Sequence, residues 1–224
     1  MSFIFIDVIK PGICHLDEKM QKWFGESPKS EIEDVVRRMA WMAEFHDPYL
    51  FNHLGRIRGY VGILAAGLGL PSAEVEMIAL ASQLHDIGKI VLPEALRTNK
   101  GNLTNAEMEA SNKHTVVGAE LLNGSSIQAF QVGAMICLSH HERWDGSGYP
   151  QGVRGQQIPV SGRIVSLAEV FDALPSSRSY KKEVPLPEAR RLILETSGQL
   201  FDPELVRIFD DRFDDFYRIR QMNI

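Results

Sequence analysis

Apolar residues recur at helical spacing through most of this chain, between short segments rich in turn-forming residues. A capping box of Ser30 and Glu33 opens the first pattern, and a second apolar helix is predicted over 50–68. Ser72 is predicted to cap a third helix, which runs toward the dipeptide His85-Asp86. Three helices are therefore predicted in the first hundred residues.

The second half of the chain continues the helical pattern. Thr104 and Glu107 form another capping box, and that helix is predicted to end at 123–124. Further helices are predicted over 127–141 and 162–174. Two prolines mark first turns of the last two predicted helices, Pro187 and Pro203. Because sustained strand alternation is almost absent, the predicted fold class is all-α, a helical bundle.

Residues 142–159 interrupt this pattern. They are rich in glycine and other turn-forming residues, and they directly follow two adjacent histidines. Long structureless segments inside compact domains are uncommon and usually form lids or binding loops. We therefore expect this segment to be functional.

Composition limits the class of protein. The chain has 224 residues, 44% of them hydrophobic, and a net charge of −5, which suits a globular protein with one main domain. The predicted division is a short N-terminal extension over 1–30, forming a strand or a dimerisation arm, and a domain over 31–224. Two cysteines, Cys14 and Cys137, are too few for a disulfide framework and favour a reducing cytoplasm. Neither a nucleic acid nor a membrane is expected as a partner, since the pI is about 5.8 and no apolar run is long enough to span a bilayer.

Imidazole and carboxylate side chains fall at intervals of about one helix plus its connection. A helical bundle can deliver one or two such groups per helix to a common point. The residues are His53, His85, Asp86, His114, His140, His141, Glu169 and Asp172. Any one histidine is more often an ordinary core or surface residue, which is our interpretation of His15 and His46. The other five histidines, jointly, favour a metal site.

Nitrogen and carboxylate donors together suit transition metals such as Fe, Mn, Co, Ni or Zn. Two ions require a bridging carboxylate, and Asp86, next to a histidine ligand, is suitably placed. A water between two metals becomes hydroxide near neutral pH, which is a nucleophile for phosphoester hydrolysis. The pattern thus favours a metal site with a chemistry suited to phosphoester hydrolysis.

Several segments also resemble one family, the HD-GYP phosphodiesterases, a branch of the HD metal-dependent phosphohydrolases. The main matches are His-Asp-Ile-Gly-Lys at 85–89 and His-His-Glu-Arg-Trp-Asp-Gly-Ser-Gly-Tyr-Pro at 140–150. Further matches lie downstream, at 161–165, 168–173 and 178–181. The resemblance covers residues 31 to about 210.

This resemblance implies an all-α enzyme that hydrolyses cyclic di-GMP to linear pGpG, GMP, or both. The implied metal ligands are His53, His85, Asp86, His114, His140, His141 and Glu169. Asp86 and Lys89 would have catalytic roles, with Lys89 on the scissile phosphate. Arg178 and Lys181 would bind the phosphates of the dinucleotide, and Gly148 and Tyr149 would shape the rim of the pocket. The Gly-Tyr-Pro loop would also offer a docking surface for a diguanylate cyclase.

The sequence departs from the family pattern at three places. Tyr49 replaces a glutamate ligand of trinuclear members, and a phenol binds metals weakly at neutral pH, so two ions are expected, Fe or Mn. Glu169 replaces the usual aspartate, and Asp172, one turn further on, could substitute for it, support another ligand, or simply pair with a Lys or Arg. Ser179 replaces the usual proline between Arg178 and Lys181.

Two alternatives stay open at this level. The chain could hydrolyse another nucleotide, including mixed cyclic GMP-AMP, because the motif does not contain base-contacting residues. It could also be a catalytically weak signalling module that binds a cyclic dinucleotide or docks a diguanylate cyclase. The apolar start of the chain is also compatible with a homodimer.

Overall fold

Helices form the regular structure in the computed structural model, which describes residues 29–44, 50–97, 101, 103–175 and 184–222. The described α-helices are α1 (Glu31–Glu44), α2 (Leu50–Gly67), α3 (Ser72–Ala81), α4 (Glu94–Arg97), α5 (Asn105–Asn112), α6 (His114–Leu122), α7 (Gln128–Ser139), α8 (Val160–Ala173), α9 (Leu186–Glu195), α10 (Pro203–Asp211) and α11 (Phe213–Gln221). Short 3-10 helices lie at Ser82–Leu84, Ile87–Val91 and Gly155–Gln157. In this part of the chain the strand-like pairing is limited to an isolated bridge between Ser197 and Phe201. The all-α prediction is confirmed.

Two of the three predicted helix caps are present. The Ser30 hydroxyl accepts from the backbone N–H of Glu33 at 3.1 Å, whereas the Glu33 carboxylate accepts from the backbone N–H of Lys29 at 2.9 Å, so half of the predicted capping box forms. Thr104 and Glu107 form the complete capping box. The prediction for Ser72 was wrong, because Pro71 occupies the N-cap position and no side chain caps α3. Proline has a fixed φ suited to a helix start, so the helix can begin there without a side-chain acceptor.

The helix predicted from Thr104 to 123–124 is two helices, which meet at Lys113. At this junction the His114 ring bonds the Ser111 carbonyl at 2.7 Å, and the Thr115 hydroxyl donates to the Asn112 carbonyl at 2.9 Å. Side chains thus satisfy carbonyls at the end of α5. The break makes His114 the first residue of α6, where a continuous helix would have placed it internally.

The main core surrounds α2 and α8. An aromatic cluster at its centre joins these helices to α10 and α11: the Tyr60 ring stacks on Phe216 at 4.9 Å, and Phe171 packs edge-on against Phe209 at 5.2 Å. All four rings have no exposed surface. Burial of so much aromatic area holds the C-terminal helices against the bundle.

Glycines allow two close approaches that position the polar residues. A Cβ at Gly88 would lie 2.0 Å from the His114 carbonyl oxygen, so the 3-10 helix after Asp86 contacts the start of α6. A Cβ at Gly162 would lie 2.0 Å from the Ser139 hydroxyl, so α8 lies directly on the end of α7. Neither contact has room for a side chain.

The predicted extension over 1–30 lies almost entirely outside the described residues, so its boundary and role stay predictions. Among the helices that are described, none has the length and hydropathy required of a bilayer span.

Candidate metal centre

Five parts of the bundle deliver the predicted metal ligands to one region. His53 lies on α2, His85 and Asp86 on the turn between two 3-10 helices, and His114 at the start of α6. His140 and His141 follow the end of α7, and Glu169 lies on α8. The helix predicted over 127–141 is slightly too long, because α7 ends at Ser139. Both histidines therefore follow its C-terminal end.

Two groups of donor atoms form, and they share one carboxylate. Asp86, His114, His140 and His141 offer ligand atoms that all lie within 4.8 Å of one another. His85, Asp86 and Glu169 meet the same condition. Asp86 therefore belongs to both groups, which is the position that a bridging carboxylate requires, and the bridge itself stays a prediction.

Main-chain carbonyls orient three of the imidazole rings. The Nδ1 atoms lie 2.9 Å from the Ser82 carbonyl in His85, 2.7 Å from the Ser111 carbonyl in His114, and 2.9 Å from the Ile136 carbonyl in His140. A carbonyl oxygen only accepts, so Nδ1 must donate its hydrogen. In the neutral ring Nε2 then carries the lone pair, which is the arrangement of a histidine metal ligand.

Buried donor atoms support this interpretation. Within the described residues, Nε2 of His114, Nε2 of His140 and Oδ1 of Asp86 are inaccessible to solvent and have no hydrogen-bond partner. Buried polar atoms normally have partners, because an unsatisfied one costs roughly 1–3 kcal/mol. A bound cation would satisfy all three, so the residues fit a metal site.

The electrostatic environment favours the forms that bind metals. Burial alone raises the pKa of Asp86, but the Lys89 ammonium and the His85 ring hold that pKa well below its ordinary value. Burial and the neighbouring His141 ring lower the pKa of His140 well below its ordinary value. Burial also lowers the pKa of His141, against the attraction of Glu169. The carboxylate is therefore ionised and these imidazoles are neutral near pH 7.

Lys89 brings a positive charge to the edge of the site. Its Nζ lies 2.5 Å from Oδ2 of Asp86, and its side chain keeps 31% of its surface exposed. The ammonium thus lies between the shared carboxylate and solvent. An anionic ligand entering from solvent would meet it.

The Gly-Tyr-Pro loop packs against the second histidine. The Tyr149 ring stacks on His141 at 4.8 Å, and burial together with Glu169 raises the pKa of its phenol, which stays neutral. Gly148 supports this stack by close backbone packing: a Cβ there would lie 2.3 Å from the Arg143 nitrogen. The structure thus gives Gly148 a packing role; whether it also contacts substrate stays a prediction.

A buried carboxylate that the sequence interpretation missed holds the same loop. Oε1 of Glu142 accepts from the backbone N–H groups of Gln151 at 2.7 Å and Gly152 at 3.2 Å. Its position directly after His141 in the motif could have identified Glu142 as a candidate site residue. The contact ties the end of the loop to the residue that follows the histidine pair.

A cavity of about 170 Å³ opens beside the donors, lined in part by His141, Tyr149 and Glu169. A larger groove of about 530 Å³ lies elsewhere, between α3, α7 and the start of α8, and holds none of the predicted ligands. The larger groove is lined mostly by apolar side chains. We therefore place the site at the smaller cavity, because the possible metal ligands lie there.

His53 lies beside these groups and outside both of them. Its ring centroid is 5.6 Å from that of His85, and its Nδ1 lies 2.8 Å from Oδ2 of Asp172. Asp172 also pairs with Arg56 at 2.6 Å and with Arg220 at 3.1 Å. Both non-ligand interpretations of Asp172 therefore apply, since it supports a histidine and pairs with arginines. The position of Arg56, one turn after His53, could have identified it as a neighbour of the site. Nothing in the sequence connects the distant Arg220 with this site.

The remaining predicted residues lie outside the described residues: Tyr49, Arg178 and Lys181. The number of metal ions argued from Tyr49, and the phosphate contacts argued from the two cations, therefore stay predictions.

Comparisons with known proteins identify the family of this chain. The family model described as HD domain matches residues 37–205. A cyclic di-GMP phosphodiesterase of Thermotoga maritima is 37% identical over 96% of this chain and 59% of its own length. The cyclic di-GMP phosphodiesterase response regulator RpfG of Xanthomonas campestris is 40% identical over 88% of this chain and 52% of its own. The chain thus spans a little over half the length of these relatives.

Solved structures show the same fold. A cyclic GMP-AMP specific phosphodiesterase of V. cholerae superposes with a TM-score of 0.58 at 20% identity, over 85% of this chain and 53% of that one. A HDG"Y"P protein from Bdellovibrio bacteriovorus gives a TM-score of 0.58 at 18% identity, over 88% of this chain and 78% of that one. Because the family model matches residues 37–205, most of the chain, the chain belongs to the HD domain family.

Proposed function

We propose that this chain is a metal-dependent phosphodiesterase that hydrolyses cyclic di-GMP to linear pGpG, with GMP as a further product. The observation that carries the proposal is the pair of donor groups that share Asp86. We assign seven ligands to two divalent ions, Fe or Mn: His53, His85, Asp86, His114, His140, His141 and Glu169. His53 would complete the group that contains His85 and Glu169.

Two ions held by these residues would supply Lewis-acid activation of the phosphodiester and of water. The chain's own residues position the reactants. Carbonyl-anchored rings of His85, His114 and His140 hold their Nε2 atoms toward the site, so little reorganisation is needed on binding. The Lys89 ammonium neutralises charge that develops on the phosphate, and the neutral Tyr149 phenol can donate a hydrogen bond at the rim.

The relatives support cyclic di-GMP as the substrate, since the names of both curated relatives include cyclic di-GMP phosphodiesterase. Arg178 and Lys181 would bind the dinucleotide's phosphates in this proposal, because cations suit a dianionic ligand. A cytoplasmic location, docking of a diguanylate cyclase on the Gly-Tyr-Pro loop, and a homodimer stay predictions.

One comparison favours a second candidate substrate. A 3'3'-cGAMP-specific phosphodiesterase of Vibrio cholerae is 40% identical over 84% of this chain and 36% of its own length. The proposed phosphate and metal contacts are common to both dinucleotides. Mixed cyclic GMP-AMP is therefore the alternative substrate.

The test is product chromatography after the metal-free protein is loaded anaerobically with Fe or Mn and given each dinucleotide. We expect faster turnover of cyclic di-GMP. Asp86→Asn should reduce that rate by at least about a thousandfold, because metal ions contribute several kcal/mol to such reactions. Asp211→Asn, an exposed aspartate on α10, is the matched control and should leave the rate unchanged.

Metal quantification separates the outcomes. Stoichiometric metal with tight cyclic di-GMP binding and no turnover would favour the signalling module. Preferred cleavage of cyclic GMP-AMP would favour the second substrate. Full activity in an Asp86→Asn protein would overturn the assignment of the site.

A further inference from the structure

Asp172 is a buried carboxylate that joins three helices beside the metal centre. It lies on α8, its side chain is 3% exposed, and it contacts His53 and Arg56 of α2 and Arg220 of α11. Its Oδ2 lies 2.8 Å from His53 Nδ1 and 2.8 Å from a terminal nitrogen of Arg56. Its Oδ1 accepts from Arg56 Nε at 2.6 Å and from Arg220 at 3.1 Å.

These contacts leave Asp172 little capacity to bind a metal itself. A carboxylate has about four lone-pair sites, and four donors already occupy them. Glu169, one turn earlier, instead belongs to the donor group with His85 and Asp86. The ionised carboxylate only accepts, so His53 must donate from Nδ1 and keep its lone pair on Nε2. Asp172 therefore does for His53 what main-chain carbonyls do for the other three rings.

Arg220 fixes the carboxylate from α11, the last of the described helices. Its guanidinium bonds the Asp172 carbonyl at 3.3 Å and the Pro175 carbonyl at 3.0 Å, in addition to the side chain. It thereby binds both the carboxylate and the backbone at the end of α8. The stacked rings of Tyr60 and Phe216 hold α11 against α2, the helix that carries His53 and Arg56.

This arginine lies outside residues 37–205, the part of the chain that the family model matches. It is also far in sequence from every predicted ligand. Its connection to the site comes through α11, which follows the matched region.

We propose that Asp172 is a positioning residue for His53, and that Arg220 holds it in place, so that the C-terminal helix sets the affinity of one of the two metal sites. This inference rests on the proposed function, since it assumes that His53 binds a metal ion. Removal of a partner that orients a ligand usually costs about 10–100-fold in metal affinity. Only the ion bound through His53, His85 and Glu169 should be affected.

The experiment is calorimetric titration of the metal-free protein with Mn²⁺, using Arg220→Gln and a matched control, Arg218→Gln. Arg218 lies on the same helix and is exposed, where it pairs with Asp215, so both variants lose one positive charge. We expect Arg220→Gln to bind one Mn²⁺ with normal affinity and the other about tenfold more weakly, the lower end of that range, because Arg56 still pairs with Asp172. Arg218→Gln should match the wild type.

The direction of the change is informative. Loss of a nearby positive charge would, by electrostatics alone, tighten the binding of a cation. Weaker binding therefore indicates positioning, whereas tighter or unchanged binding of both ions by Arg220→Gln would overturn the inference. Wild-type protein that binds no Mn²⁺ would instead contradict the proposed function, so the two failures are distinguishable.

Thermal unfolding of the metal-free variants controls for folding. If Arg220→Gln unfolds below the temperature of the titration, Arg220→Lys replaces it, because lysine keeps the charge but lacks the fork that contacts two groups. Selective weakening of one site in the lysine variant supports the proposal. An equal loss at both sites, in either variant, would overturn it.

Discussion

At the scale of the residue, the site depends on which atom of each imidazole is already bonded. Three rings donate Nδ1–H to main-chain carbonyls and a fourth donates to Asp172, so each neutral ring keeps the Nε2 lone pair. Sequence reasoning could select these histidines by spacing, but it could not assign the ligand atom. The acceptors are main-chain carbonyls, which every residue carries, so the identity of the residues does not reveal which carbonyls accept these bonds.

Gly148 supplies a prediction at this scale. Replacement by Ala would place a Cβ 2.3 Å from the Arg143 nitrogen, so the loop must shift and carry Tyr149 away from His141. We expect Gly148→Ala to reduce the free energy of unfolding by about 1–3 kcal/mol and to lower kcat/KM, measured by urea denaturation and initial rates.

Gly62→Ala is the control for this change. Gly62 lies within α2 and has no atom within 4 Å of its would-be Cβ, so alanine there should be neutral or stabilise by about 0.5–1 kcal/mol. If Gly148→Ala were as stable and active as Gly62→Ala, the packing role of Gly148 would be wrong.

At the scale of the element, most of the candidate metal ligands lie at or just beyond the ends of helices. His114 begins α6, while His140 and His141 follow α7. Helix ends bring side chains and unpaired backbone groups to one place, which suits a site built from several elements. The sequence predicted most of these helices from their apolar periodicity. It missed the break at Lys113, because side-chain bonding to carbonyls at the end of α5 leaves the apolar pattern unchanged.

The contact between α7 and α8 gives a prediction at this scale. Gly162→Ala would place a Cβ 2.0 Å from the hydroxyl and 2.7 Å from the Cβ of Ser139, which precedes the histidine pair. We expect a loss of about 1–3 kcal/mol in the free energy of unfolding and weaker Mn²⁺ binding, because α8 carries Glu169.

A double mutant tests the cause. Ser139→Gly removes the obstructing side chain, so the two substitutions together should destabilise less than the sum of each alone, by roughly 0.5–3 kcal/mol. Simple additivity in urea denaturation would show that the two positions do not interact.

At the scale of the whole molecule, the metal-free protein is expected to lose stability as pH falls from about 7 to 5. The folded state holds His140 and His141 with lowered pKa values, so the unfolded chain takes up more protons than the folded chain in this range. Each group contributes a slope of up to about 1.4 kcal/mol per pH unit, below the ordinary histidine pKa of about 6.5. Urea denaturation in a chelating buffer, at several pH values, measures the slope.

His140→Gln is the variant that tests this dependence. Glutamine cannot take up a proton, so the slope between pH 6.5 and 5 should become shallower, whatever the variant's stability at pH 8. An unchanged slope would show that His140 does not contribute. The pKa values of Asp86 and Asp172 are also lowered in the folded state. The stability that these carboxylates contribute is lost only at lower pH, below about 3.9.

The sequence by itself determined the fold class, the helices, the functional loop and the set of candidate donors, because apolar periodicity and residue chemistry are local properties. Only the tertiary structure decided that Asp86 belongs to two donor groups. It also decided that Asp172 bonds to His53 and to two arginines, one of them on α11. Arg220 and Asp172 are 48 residues apart, and their contact depends on how α11 packs on α2 and α8. Such a contact arises from burial of the aromatic core, and no local pattern in the chain encodes it.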